Sequence, residues 1–183
     1  ILEHAMSDKT GPQPTGTAGQ PCGPAEPPRT IEGYEDISPL VIRTDFTDED
    51  VWARVVEELR TPLEDDDPVQ PYLICDPRYA DAATERIVQD VRAALAGPDL
   101  PDAVFIADST TMRETDHPLL AVSTEAQGQD GDVEDCDVED CEEYATQFRV
   151  LPHAAAVVSV NLGIGNMDFE DYASDGHFVY GRE

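Results

Sequence analysis

Leu40-Val41-Ile42-Arg43-Thr44-Asp45 is the stretch on which the fold turns. Its apolar run reads as a strand, and the residues after it read as the start of a helix. Thr47 is placed to cap that helix. Asp48, Glu49 and Asp50 fill a first turn where the helix dipole favours negative charge. Val51, Trp52, Val55, Val56 and Leu59 then recur at helical spacing and give one apolar face, which Thr61-Pro62 ends. The alternation repeats. Tyr72 to Cys75 is a second strand stopped by Asp76-Pro77, Ala82 to Leu95 a second helix with Ile87, Val91, Ala94 and Leu95 inward, and Ala103 to Ala107 a third strand. The third run is continuously apolar, as expected of a strand covered on both faces. A β-α-β-α-β order argues for a parallel core with right-handed crossovers.

Beyond that core, Leu119 to Val122 and Phe148 to Leu151 read as a fourth and a fifth strand. His153 to Ala173 reads as helical but broken near Gly163 and Gly165, and Phe178 to Tyr180 as a final edge strand. The predicted fold class is α/β: a single two-layer or three-layer domain over residues 37 to 183, built on a central mixed sheet. Residues 1 to 36 are expected to be a disordered tail. Pro, Gly, Thr and Gln dominate residues 7 to 30, which lack the apolar surface needed to offset chain entropy. Ile1 to Ala5 read as a vector-derived scar ahead of a native start at Met6. Residues 125 to 143 hold ten acids and no Lys or Arg, with Asp-Val-Glu-Asp-Cys twice in tandem. Such a block repels itself and is expected to be a mobile insertion between the fourth and fifth strands.

The chain carries 40 Asp and Glu against 11 Lys and Arg, a formal net charge of -29. That charge excludes nucleic-acid phosphates and anionic membrane surfaces as partners, because both would repel it. A basic protein, a basic peptide or a metal cation fits. No apolar run approaches the ~20 residues of a membrane span, and no basic-then-apolar leader stands at the N-terminus. The four cysteines, Cys22, Cys75, Cys136 and Cys141, are scattered in a way that does not suggest a disulfide framework, so a reducing cytoplasm is expected.

Three carboxylates are the first candidates for chemistry. Asp45, Asp76 and Asp108 each follow a strand, and parallel neighbouring strands would bring all three to the sheet edge where open α/β sheets bind ligands. Such a trio suits Mg²⁺, a hard cation that takes oxygen ligands and retained water, and with it phosphoryl transfer or hydrolysis. The plainer reading is that Asp is a common turn and capping residue after any strand. Gly163-Ile164-Gly165 lacks the third glycine of a dinucleotide loop and reads as a helix break, so no cofactor-binding residues are assigned. Cys136 and Cys141 alone do not complete a tetrahedral metal site. His117, His153 and His177 join no recognisable catalytic pairing, and Trp52 reads as core.

The chain resembles an uncharacterised domain family of actinobacterial proteins. The residues that carry this are Leu40 to Phe46 with Trp52, Val104 to Asp108, His117-Pro118-Leu119-Leu120, Phe148-Arg149-Val150, and Asn161-Leu162 with Asn166-Met167-Asp168-Phe169-Glu170. The resemblance spans roughly residues 38 to 180 and implies an extent rather than a mechanism. The expected function is a non-catalytic, cytoplasmic binding protein such as an immunity-type inhibitor of a basic partner, without a cofactor. The alternative is the Mg²⁺-dependent enzyme built on Asp45, Asp76 and Asp108. A third possibility is a module read by another protein through an apolar patch on His153 to Ala173.

Overall fold

The computed structural model describes residues 37–61, 70–95, 99–125, 146–173 and 179–182. The expected tail and the body of the acidic insertion lie outside the described residues. The elements run β1 (Leu40–Arg43), α1 (Glu49–Leu59), β2 (Tyr72–Ile74), α2 (Thr84–Ala94), β3 (Ala103–Ala107), α3 (Ser109–Arg113), β4 (Leu119–Ser123), β5 (Gln147–Val150), α4 (Ala155–Gly163), α5 (Phe169–Ala173) and β6 (Val179–Tyr180). Among the described residues, six strands form one mixed sheet in the order β2-β1-β3-β4-β5-β6. β1 pairs parallel with both β2 and β3, so the β-α-β-α-β core is parallel as the sequence suggests. β4 runs antiparallel to β3 and β5, and β6 is parallel to β5.

The alternation of side chains along each strand divides the core in two. Val41, Phe105, Leu119, Ala121, Phe148 and Val150 face α1, α4 and α5. Leu40, Ile42, Ile74, Val104, Ile106 and Val122 face α2, through Ile87, Val91 and Leu95. Helices therefore cover both faces, and the domain has three layers. The first crossover steps from β1 out to β2 and the second steps back from β2 past β1 to β3, so crossovers of one hand must put α1 and α2 on opposite faces. Phe148 anchors the far side of the sheet. Its ring lies 5.0 Å from Phe169 and 5.5 Å from Tyr172, and Tyr172 meets Tyr180 edge-on at 5.0 Å, which ties α5 and β6 to β5.

Three local readings are corrected. The N-cap of α1 is Asp48, whose carboxylate accepts the Asp50 and Val51 amides, while Thr47 donates to Asp45 instead. A short helix, α3, follows β3 directly. Its polar sequence Ser-Thr-Thr-Met-Arg has little helical tendency, and the capping box between Asp108 and Thr111 supplies what propensity does not. Cys75, expected to be reduced, is disulfide-bonded.

Candidate functional site

Asp45, Asp76 and Asp108 do stand at one sheet edge, at the C-terminal ends of the three parallel strands. Each is bound locally. Asp45 Oδ1 accepts the Thr47 amide at 2.8 Å and its hydroxyl at 2.5 Å. Asp76 caps the 3-10 turn Pro77–Tyr79 through the Arg78 amide and lies 3.3 Å from the Arg78 guanidinium. Asp108 caps α3 through the amides of Thr110 and Thr111. Among the described residues no three His, Cys, Asp or Glu side chains gather as a metal site. Where the strand order reverses, the pairing of β1 with β3 runs on just past the end of β1. The amides of Thr44 and Asp45 both donate to the Ala107 carbonyl, at 2.9 and 3.3 Å.

Two arginines organise this edge, and sequence reasoning missed both. Arg149 of β5 reaches Asp108 with two parallel bonds of 3.0 and 2.7 Å, a planar fork on a carboxylate. It also donates to the Pro118 carbonyl at 3.2 Å. Thr111, fully buried, donates to the same carbonyl, and His117 holds the Thr111 carbonyl 3.0 Å from its Nδ1. His117 takes a left-handed φ of 51° to do so. Burial alone would raise the Asp108 pKa. The Arg149 bonds and the Thr111 amide outweigh it, and the carboxyl is held below the ordinary carboxylate value.

Arg43 is the second. Its side chain is 1% exposed. Nε donates to the Asp45 carbonyl at 2.8 Å, Nη2 to the Asp48 carbonyl at 3.4 Å, and Nη1 meets the Glu49 carboxylate at 2.9 Å. The guanidinium lies over the rings of Phe46 and Trp52, at 4.6 and 5.2 Å. The signal for it was an arginine inside an otherwise apolar strand, which a buried strand holds only when its donors are satisfied.

The open space lies at the other end of the sheet. A cavity of about 370 Å³ separates α2 from the open face of β4 and β5, lined by Val88, Gln89, Arg92, Ser123 and Gln147 among others. A second, of about 290 Å³, lies between Asp102, Ser123 and Glu125 and the connection from α4 to α5. That connection is the glycine segment. It ends a helix, with the Gly165 amide on the Leu162 carbonyl at 2.9 Å and Gly165 at φ 65°, so it has the geometry of a helix stop rather than a phosphate loop.

A family model described as a domain of unknown function, DUF6924, matches residues 38–180. The chain belongs to that family. No curated protein and no solved structure matches it. The matched span takes in all six strands, both arginine clusters and the second cavity, so the DUF6924 domain is the whole described fold apart from its outermost residues. Among its described residues no helix is long and apolar enough to cross a membrane.

Proposed function

We propose that the DUF6924 domain is a non-catalytic binding protein for a basic protein or peptide, with an immunity-type inhibitor as the model for its role. The observation that carries this reading is the placement of charge. The chain has one basic side chain for nearly four acidic ones, and most of the basic ones are turned to the protein's own needs. Arg43, Arg78, Arg149 and Arg182 are in ion pairs, and Arg54 and Arg92 donate to backbone carbonyls. The charge that the described residues turn to solvent is predominantly negative, with α1 and its caps presenting Asp48, Glu49, Asp50 and Glu57 against Arg54 and Arg60. A surface of this kind attracts a basic partner over a Debye length and repels phosphates. The aspartate edge adds no support to metal-dependent chemistry, because its carboxylates serve the Thr47 turn, two caps and two arginines.

The test is affinity capture from lysate of the source cells at low salt, with elution by a salt gradient and identification by mass spectrometry. The expected result is a strongly basic protein released by salt and not recovered on a domain with its surface carboxylates amidated. Recovery of no basic protein would overturn the reading.

A further inference from the structure

We infer that the cleft between the β3–β4 end and the α4–α5 connection is the docking site for a basic segment of the partner, one arginine or lysine beside an apolar residue. This deepens the binding reading above and rests on it. The cleft holds about 290 Å³. Its rim carries four carboxylates, Asp102, Glu125, Asp168 and Glu170, and among the described residues no basic side chain lines it. Its inner wall is apolar, from Leu162, Met167 and Phe169. That is the pattern a long cationic side chain needs, with apolar surface for its methylene stem and carboxylates for its head. Just before α5, the Asp171 carboxylate accepts the Asp168 amide at 2.9 Å.

Two further features fit an absent partner. Ile164 is not a lining residue but follows the cleft's Leu162 and precedes its Gly165 by one residue, and it is 64% exposed. It is one of two exposed large hydrophobics among the described residues, and the rest of α4 turns Ala155, Val158 and Leu162 inward. A single exposed isoleucine beside a carboxylate rim gives the partner's apolar residue a seat next to its charge. Asp102, although open to solvent on one side, is desolvated enough that its carboxyl sits above the ordinary value. A docked cation would oppose that rise.

The probe is the blocked peptide acetyl-Leu-Arg-Arg-Leu-amide, titrated into the full chain at low salt and followed by amide NMR shifts. Shifts are expected to cluster on Asp102, Leu162 to Glu170 and Ser123. The pair Asp102→Asn with Glu170→Gln is expected to weaken binding about tenfold, as for desolvated charge pairs. Ile164→Ser, an exposed change that leaves the fold intact, is expected to weaken it about threefold. The control pair Glu85→Gln with Glu114→Gln, neither of which lines the cleft, removes the same charge elsewhere and is expected to change little. Equal weakening by both pairs, or shifts spread over α1, would overturn the cleft while leaving a basic partner in place. Absence of any binding by the unmodified chain, with the captured basic protein also failing to bind, would overturn both.

Discussion

A guanidinium removed from water costs several kcal/mol unless its donors are answered, and Arg43 answers them mainly with carbonyls. Glu49 contributes less than its 2.9 Å distance implies, because its side chain is 67% exposed and the pair is screened on that side. Glu49→Gln is therefore expected to cost under about 1 kcal/mol in urea unfolding, whereas Arg43→Lys is expected to cost about 2 kcal/mol or more, since one ammonium cannot span the three acceptors. Equal effects would show that the ion pair, not the carbonyl geometry, holds the residue. Asp108 gives the corresponding pH test. Its folded pKa is depressed, so it adds stability above its unfolded value and loses it as pH falls through the folded one. Asp108→Asn is thus expected to destabilise at pH 7, with the difference from the unmodified protein shrinking below about pH 4. Asp102 has the opposite sign: ionising it costs stability that returns on acidification, and Asp102→Asn is expected to be neutral or stabilising at pH 7. Asp108 was readable as a cap because Asp after a strand commonly is one. Its partner Arg149 was not, because 41 residues and an acidic insertion separate them and only the β4–β5 register brings them together.

The elements themselves were largely legible, and for a physical reason: each strand and helix with a strong apolar period buries that face. The weak ones were not. α3 is five residues of poor helix formers, and its only announcement is Asp-Ser-Thr-Thr, a capping box that a reading based on apolar spacing passes over. The direction of β4 was equally hidden, because an apolar run looks the same either way along the sheet. β6 depends on a turn that its sequence does mark. Gly181 has φ 94°, and a Cβ there would lie 3.0 Å from the Ala154 Cβ. Gly181→Ala meets both the left-handed backbone and the contact, and is expected to cost about 1–2 kcal/mol with loss of amide protection first at Val179 and Tyr180. Uniform loss of protection across the sheet would mean instead that β6 and the rest of the sheet open together.

At the scale of the whole molecule, the acidity separates into parts with different work. Asp48, Asp76 and Asp108 cap, and Asp108, Asp76 and Glu49 pair with arginines. On either side of the insertion at 125 to 143, β4 and β5 pair in register from Leu119 with Val150 to Val122 with Gln147. Replacing the insertion by a tight turn is expected to leave the melting temperature within a few degrees of the full chain. A collapse on shortening would show that it packs into the domain. The rim of the cleft was not visible in the sequence, because Asp102, Glu125 and Glu170 come from three distant segments and meet only once the sheet order is known. The central claim is that outward carboxylates steer a basic partner while the arginines serve the fold. The most direct measurement is the association rate of the full chain with the basic protein it captures, by stopped flow across ionic strength. That rate is expected to fall about tenfold or more between low and physiological salt with a nearly constant dissociation rate. A rate indifferent to salt would contradict it.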